Sequence, residues 1–356
     1  MHERLRRLLQ DMHPHSATDL HLTVGSRPCY RIFGDLKPLD APVLKAEDIQ
    51  TMIYSCLSDR QIEALEVERE LDCSVGIAGE GRFRINVFFQ RETTGVAIRR
   101  LPFEIPGFSE LGLPEDEMQE LADLNSGLIL VTGPTGSGKS TTLAAAIDHV
   151  NRHHSKHIVC IEDPLEYLHQ HRRSLVNQRE VGTDTLSFAA ALKHVLREDP
   201  DVVQIGEMRD LETIQSTLKV AETGHLALST LHTNSAAATV NRVINVFPSA
   251  QQEQVKLQLS FVLSAVISQR LLPRQSGDGL VLAYEIMIVN PAIRHLIREG
   301  EVDQIYSHLQ MGSGAGMRTM NESLAELVRS GAISENQAFA RSPDVKELDD
   351  LLAEEW

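Results

Sequence analysis

Glycine, lysine and hydroxyl residues are concentrated in one short segment of this chain, Gly133-Pro-Thr-Gly-Ser-Gly-Lys-Ser-Thr141. The segment fills every fixed position of the pattern G-x-x-x-x-G-K-[ST] and follows the apolar run Leu128 to Val131. Glycines let backbone N–H groups turn toward phosphates, the Lys139 ammonium can bind the β- and γ-phosphates, and the Ser140 hydroxyl can bind Mg²⁺. The pattern therefore predicts a strand, a phosphate-binding loop and a helix start, with ATP and Mg²⁺ as ligands. The loop residues expected at the nucleotide are Gly133, Pro134, Thr135, Gly136, Ser137, Gly138, Lys139, Ser140 and Thr141.

Acidic residues follow two other apolar runs. Glu207 comes after 202–206, and the cluster Glu162-Asp-Pro-Leu-Glu166 comes after 157–161. Hydrolysis of a triphosphate needs carboxylates that hold the metal and orient or deprotonate water. Gly206 stands where an aspartate is expected in the second acidic motif of P-loop proteins, and a solvated Asp-Pro turn is the alternative for the second cluster. Glu207 is therefore the stronger candidate on spacing alone.

The elements that must position these residues follow an alternating pattern beyond residue 115. Short apolar runs at 128–132, 157–162, 202–207 and 225–230 alternate with helical patterns. This rhythm predicts an α/β domain with a mostly parallel central sheet. From Ser249 onward the pattern predicts mainly helices.

Residues 1–100 show a different mixture of short helical and strand signals, which predicts a smaller α+β domain. Prolines and glycines then cluster between 101 and 115, as expected of a linker. We therefore expect domains at 1–100 and 116–356 joined by 101–115. The residues of this cluster are Pro102, Pro106, Gly107, Gly112 and Pro114.

Composition restricts the class of partner. The chain has 356 residues and a net charge of −16, which argues against a broad nucleic-acid surface. Gln10 and Asp11 interrupt the basic start where an export signal needs apolar residues, and the run 261–267 is too short for a membrane span. We therefore expect a cytoplasmic protein that reaches a membrane only through other proteins.

Cysteines and most histidines do not form a recognisable metal pattern. The four cysteines lack a C-x-x-C pair, which argues against a zinc knuckle or a disulfide framework. A zinc site is not expected among a further set of histidines that lack a convincing partner set. This set is His153, His154, His157, His169 and His171.

Taken together, the motifs resemble those of the secretion and type IV pilus ATPases. Beside the phosphate-binding loop, IEDPLEY at 161–167 is similar to the family's aspartate box and GEMRD at 206–210 to its atypical Walker B motif. AETGHLALSTLHTN at 221–234 resembles its histidine box, and AIRHLIREG at 292–300 and DLHL at 19–22 resemble segments of the retraction branch. The resemblance implies an α/β, RecA-like P-loop ATPase core, a smaller PAS-like N-terminal α+β domain and a helical C-terminal region.

The same resemblance implies roles for individual residues. Glu207 is the implied general base or ligand of the metal and its water, with Ser140 as the other metal ligand, and Glu166 is a second carboxylate near the water. His225 and His232 match the histidine box and can donate to the γ-phosphate or report its loss across a subunit contact. The arginines implied at the nucleotide are Arg84, Arg99 and Arg242.

The implied assembly is a homo-hexameric motor. ATP hydrolysis in such a ring drives an inner-membrane platform protein that returns pilin subunits to the membrane, and this retraction supports twitching motility. A paralogous pilus ATPase is a further implied partner.

Four alternatives stay open or are disfavoured on the sequence. An accessory retraction ATPase shares most motifs, and a scaffold or regulator of another motor would bind ATP without useful turnover. Extension and type II secretion motors usually carry an extra N-terminal domain and a four-cysteine zinc motif, neither of which is recognisable here. A helicase or strand-exchange role fits poorly with the negative charge and the lack of an aromatic-basic stripe.

Overall fold

A computed structural model describes residues 1–32, 35–77, 81–101, 104–277, 279–312, 314 and 316–353. The chain divides into two compact units. The first unit comprises Met1–Glu104 and Glu166–Leu168, and the second comprises Ile105–Leu165 and His169–Trp356. Pro102, which belongs to the predicted linker, lies outside the described residues.

The first unit is an antiparallel sheet with helices. Its elements are α1 (Glu3–Gln10), β1 (Ala17–Leu22), β2 (Cys29–Ile32), β3 (Asp35–Pro38), α2 (Ala46–Tyr54), α3 (Asp59–Glu68), β4 (Glu70–Ile77), β5 (Gly81–Gln90) and β6 (Thr93–Arg100). The strand order is β3-β2-β1-β6-β5-β4. Strand β5 buries Phe83, Ile85 and Val87, while Arg84 projects from the other face, because side chains alternate along a strand. The predicted α+β character of this region is confirmed.

The second unit is built on a larger sheet. Its elements are α4 (Glu115–Ala122), β7 (Gly127–Thr132), α5 (Lys139–His153), β8 (His157–Glu162), β9 (Leu175–Glu180), α6 (Phe188–Val195), β10 (Val202–Ile205), α7 (Leu211–Glu222), β11 (Leu226–Leu231), α8 (Ala236–Asn245), α9 (Ser249–Val262), β12 (Leu263–Pro273), β13 (Leu280–Ile288), α10 (Pro291–Glu299), a 3₁₀ turn (Val302–Gln304), α11 (Ile305–Gln310), α12 (Met320–Arg329), α13 (Glu335–Phe339) and α14 (Val345–Ala353).

Strand order in this sheet is β13-β12-β7-β11-β10-β8-β9, and only β13 runs antiparallel to its neighbour. All residues of β7 and β11 are buried, as expected of strands covered by helices on both faces. One face packs against α7, α8 and α9, and the other packs against α4 and α5. The prediction of a mostly parallel α/β sheet is confirmed.

The sequence analysis missed two strands. Most of the described chain after Ser249 is helical, as expected, but β12 and β13 interrupt it. The apolar run 261–267 ends α9 and begins β12, which pairs in parallel with β7. Periodicity does not separate a short buried strand from a buried helix, because both are apolar on all sides. The omission matters, since β12 is the direct neighbour of the strand that leads into the phosphate-binding loop.

Within the described parts of the chain, every helix is too short or too polar to cross a lipid bilayer.

Candidate active site

The chemically active groups of the second unit collect at one edge of its sheet. Strands β7, β8, β10 and β11 are parallel, so their carboxyl ends lie side by side. The phosphate-binding loop follows β7, Glu162 ends β8, Glu207 follows β10 and His232 follows β11. Ligands of open α/β sheets bind at this edge. The fold therefore gathers four separate sequence segments into one site.

The phosphate-binding loop requires glycine at its first position. Gly133 has a φ of 144°, and a Cβ there would lie 2.3 Å from the backbone oxygen of Gln269 and 2.6 Å from the Ser137 hydroxyl oxygen. Side chains rarely adopt this backbone conformation, and the close neighbour is the backbone of β12. Strand β12 therefore sets how closely the loop can approach the sheet.

Helix α5 presents its amino terminus to the loop. Its first intrahelical bond runs from the Thr142 N–H to the Gly138 carbonyl at 3.0 Å, so the amides of Lys139 and Ser140 precede the helical bonding pattern. Amide groups at a helix start and the helix dipole favour an anion. This geometry suits a phosphate group at the loop.

The Lys139 ammonium is folded against its own loop. Its Nζ donates to the carbonyls of Gly133 and Pro134, each at 3.0 Å, and lies 3.4 Å from His232 Nδ1. Only 9% of the residue is exposed. The cation is thus held at the phosphate site by carbonyl dipoles that a phosphate oxygen can replace.

His232 joins Lys139 to Glu207. The His232 Nε2 atom lies 3.1 Å from Glu207 Oε1, and Arg209 Nε donates to Glu207 Oε2 at 3.0 Å. Both histidine contacts are satisfied by a neutral imidazole whose proton sits on Nε2, because Nδ1 then accepts from Lys139. The second unit therefore carries a continuous chain Lys139–His232–Glu207–Arg209. The motifs indicated its members but not their contacts.

Contacts between β10 and β11 fix the turn that carries Glu207. The Thr230 hydroxyl donates to the Gly206 carbonyl at 2.7 Å, and the Met208 N–H donates to the Thr230 carbonyl at 3.1 Å. These bonds tie the Glu207 turn to the strand that leads into His232. The distance between Glu207 and His232 is therefore set by the pairing of β10 and β11 and not by either loop.

Glu162 belongs to the acidic cluster at the end of β8 but received no role from the sequence. It is 7% exposed and accepts from Gln178 Nε2 at 3.1 Å. A Cβ at Gly206 would lie 3.4 Å from the Glu162 Cα. Glu162 thus supplies a carboxylate on the strand beside the glycine that replaces the expected aspartate.

Glu166, Arg84 and Arg99 belong to the first unit. Glu166 is exposed. Arg84 and Arg99 face each other across β5 and β6, with Arg84 Nε 3.8 Å from Asp72 Oδ1 and Arg99 Nε donating to Asp19 Oδ1 at 2.7 Å. Like charges that face each other on neighbouring strands repel, and the two aspartates offset this repulsion between Arg84 and Arg99. The roles implied for these three residues stay predictions.

His225 and Arg242 are not brought to the loop of their own chain. His225 precedes β11, and its carbonyl accepts the Gly127 N–H at 3.1 Å at the start of β7. Six residues of β11, about 20 Å, separate this edge from His232. Arg242 is exposed in the last turn of α8, a helix that begins at Ser235 beside the active edge and runs away from it. Within one chain, the length of β11 separates His225 from the loop, and α8 carries Arg242 about two turns from Ser235. The roles at the nucleotide implied for His225 and Arg242 stay predictions.

Strand β12 contributes two supporting residues, Ser268 and Gln269, that no motif marked. Gln269 Nε2 donates to the Thr142 hydroxyl at 2.8 Å, and the Thr132 and Ser268 hydroxyls lie 2.8 Å apart. All four residues are buried. Ser268 and Gln269 therefore contact the residues on either side of the phosphate-binding loop, from a strand that was predicted to be helical.

Glu285 of β13 is an acid buried next to the histidine-box turn. Its Oε1 accepts the Ala236 N–H at 2.7 Å at the start of α8, and the residue is 1% exposed. Burial raises the pKa of Glu285 to about 7. The backbone hydrogen bonds from Ala236 and Met320 lower this pKa, the charge of Glu347 raises it, and the charge of Arg270 lowers it. A buried carboxyl thus titrates near neutral pH behind the active edge.

Glu285 should make the protein less stable as pH rises from about 4.5 to about 7. Its folded pKa is above the unfolded value of 4.5, so the stability it contributes is complete below pH 4.5 and is lost as pH rises through about 7. The loss is on the order of 3 kcal/mol. Urea unfolding of the wild type and Glu285→Gln at pH 5 and pH 7.5 measures it, because the amide does not titrate. The wild type should lose stability relative to the variant at pH 7.5; a constant difference would contradict the expectation.

A parallel α/β sheet, a phosphate-binding loop between β7 and α5, and acidic and imidazole groups at the carboxyl edge define a RecA-like P-loop nucleoside triphosphatase. The chain belongs to the family described as type II/IV secretion system proteins, whose sequence model matches residues 69–277. This match includes the phosphate-binding loop and all four members of the Lys139–His232–Glu207–Arg209 chain.

Known proteins of this family resemble the chain over nearly its whole length. It is 47% identical over 322 residues to the type IV pilus retraction ATPase PilT of Pseudomonas aeruginosa. The aligned region covers 90% of this chain and 93% of that protein. The chain is 37% identical over 346 residues to the type IV pilus ATPase PilU of the same organism, covering 97% and 90%. A crystal structure of the pilus retraction motor PilT with bound ADP superposes with a TM-score of 0.91 at 51% identity, covering 98% of this chain and 100% of that one.

Proposed function

We propose that this chain is an ATP-driven motor that retracts type IV pili and so supports twitching motility. The observation that carries the proposal is the Lys139–His232–Glu207 chain beside a phosphate-binding loop. The similarity to a pilus retraction ATPase over 90% of the chain supplies the cellular role. ATP is the substrate in this proposal.

The residues of the second unit account for the hydrolytic step. When a triphosphate enters the loop, Lys139 exchanges the carbonyls of Gly133 and Pro134 for phosphate oxygens. Glu207 accepts a proton from water as the water oxygen attacks the γ-phosphorus, and the bond to the bridging oxygen breaks with its electron pair leaving on ADP. His232 loses its contact with Lys139 when that lysine moves, so the histidine can signal the state of the nucleotide to Glu207.

Two donors of the site fit Mg²⁺. The Ser140 hydroxyl and a Glu207 carboxylate oxygen are hard oxygen ligands of the kind Mg²⁺ prefers, and the ion keeps several waters when it binds with a nucleotide. Bound Mg²⁺ would neutralise charge on the β- and γ-phosphate oxygens.

The remaining expectations extend this proposal to the assembly. We infer a hexameric ring that acts in the cytoplasm on an inner-membrane platform protein, with a paralogous pilus ATPase as a further partner. The boundaries 1–100, 101–115 and 116–356 stay the proposed domain division, and Glu166, Arg84 and Arg99 stay proposed contributors to the nucleotide site. The 37% identity to PilU keeps the accessory retraction ATPase as the second candidate.

His232→Asn should lower ATP turnover by about 10- to 100-fold and abolish pilus retraction, because the shorter asparagine cannot hold Glu207 as His232 Nε2 does at 3.1 Å and cannot pair with Lys139 before the nucleotide binds. Turnover is measured on the purified chain with Mg²⁺. Retraction is measured as twitching and as surface pilus number in cells that lack their own retraction ATPase. Pili should accumulate on cells that carry the variant.

His157→Asn is the matched control, since His157 lies at the start of β8, away from the active edge. It should turn over ATP and retract pili like the wild type. ATP turnover without pilus retraction in cells that carry the wild-type chain would contradict the motor role while leaving the ATPase activity intact. Retraction that occurs only when a second ATPase is present would favour the accessory role.

A further inference from the structure

Three metal-ligand side chains converge at the far end of α5. Asp123, which follows α4, places its Oδ1 2.9 Å from His149 Nε2 and 2.7 Å from His154 Nε2. The three ligand atoms lie within 4.8 Å of one another. His149 is on α5, and its side chain is 10% exposed, while His154 is 35% and Asp123 44% exposed. They are separate from the phosphate-binding loop by the length of α5, fifteen residues or about 22 Å.

Local backbone geometry explains why the two histidines meet. Helix α5 ends at His153, and His154 has the extended angles φ −118° and ψ 157°. The chain thus leaves the helical path after His153, and the His154 ring turns back toward His149. The His149 ring is held by the neighbouring rings of Phe108 and His153, whose centroids lie 6.0 and 4.5 Å away.

The set has the chemistry of a transition-metal site. Two imidazole nitrogens and a carboxylate oxygen bind Zn²⁺ and similar ions, with water in the fourth position. Ligand atoms around a tetrahedral Zn²⁺ ion lie about 3.3 Å apart, given Zn–N bonds of about 2.0 Å. The 2.7 and 2.9 Å separations here would need to open by roughly half an ångström, which the exposed Asp123 side chain allows.

The ligand types of the cluster suit a transition-metal cation, with two imidazole nitrogens and one carboxylate oxygen within 4.8 Å of one another. An ionised carboxylate and two neutral imidazoles are the forms a metal requires. Nitrogen ligands also separate this cluster from an oxygen site suited to Mg²⁺.

We propose that Asp123, His149 and His154 bind a divalent transition-metal ion of the Zn²⁺ class that fastens the end of α4 to the end of α5. Sequence spacing does not indicate this site, because Asp123 lies 26 residues before His149 and His149 was not among the histidines considered for zinc. Among the five histidines for which no zinc site is expected from the sequence, this proposal differs only at His154.

The test is a titration of the full chain with Zn²⁺ alone, after a chelator has removed bound metal and without nucleotide. Wild type should bind one ion per chain by isothermal titration calorimetry, and its thermal midpoint should rise with Zn²⁺. Asp123→Asn, His149→Gln and His154→Gln should each weaken binding by on the order of 100-fold or more, since losing outer partners of a metal ligand already costs 10- to 100-fold.

His194→Gln is the control, because His194 is exposed in the last turn of α6 and is not among the three ligands. It should keep the wild-type affinity and thermal shift. The proposal would be overturned if the three ligand variants bound Zn²⁺ as tightly as the wild type. It would also be overturned if the wild type bound Zn²⁺ no more tightly than its other histidines do. Variants that fail to bind ADP are misfolded; the conservative Asp123→Asn then decides, because it changes no side-chain size.

Discussion

Glu207→Gln should lower ATP turnover by about 10²- to 10⁴-fold while ATP affinity changes by no more than a few fold. Glutamine keeps the size and an oxygen acceptor of glutamate but removes its negative charge. In the proposed mechanism the Glu207 carboxylate, 3.1 Å from His232 and 3.0 Å from Arg209, accepts the proton of the attacking water, and general-base catalysis contributes about this factor. Mg²⁺-dependent turnover and equilibrium binding of ATP, on samples whose oligomeric state is known, measure the two effects.

The control is Glu212→Gln, an exposed carboxylate in the first turn of α7 that should behave like the wild type. A wild-type assembly that binds ATP but does not turn it over would weaken the motor proposal and raise the scaffold alternative. An unchanged rate in Glu207→Gln would mean that another carboxylate accepts the proton. Glu162 would then be the first candidate, because it is the nearest carboxylate in register on the neighbouring strand.

Gly133→Ala should abolish nucleotide binding and destabilise the chain. Its φ of 144° is strained for any side chain, and its Cβ would lie 2.3 Å from the Gln269 carbonyl oxygen, which belongs to a strand paired with β7. Strand backbone cannot give way cheaply, so either the strands separate or the loop leaves its path. Strain of about 1–3 kcal/mol and the loss of loop shape both follow.

Gly224→Ala is the matched control, because Gly224 has a positive φ of 95° but no atom within 4 Å of an added Cβ. It should cost only the backbone strain and leave ADP binding intact. Fluorescent ADP binding and the thermal midpoint of each variant measure this. Normal ADP binding by Gly133→Ala would show that the loop does not need the approach to β12.

How much of this site could be known beforehand varies from residue to residue. Lys139 and Ser140 were fixed by a local pattern, because phosphate binding at a helix start depends on nearby backbone groups. Glu207 and His232 were proposed from motifs and do lie on one edge, since parallel strands of a sheet end together. His225, only seven residues before His232, was placed with it by motif but lies at the other edge, because β11 fills the space between.

The sequence by itself determined the phosphate-binding loop, the alternation of helices and strands and the order of the motifs, because these depend on residues close together in the chain. Tertiary structure decided the rest. Glu285 meets Ala236, Gln269 meets Thr142 and Asp123 meets His149, and each pair is far apart in sequence. These contacts depend on which strands are neighbours and how helices end, and hydrophobic burial of β12 beside β7 fixed that arrangement without any polar motif to announce it.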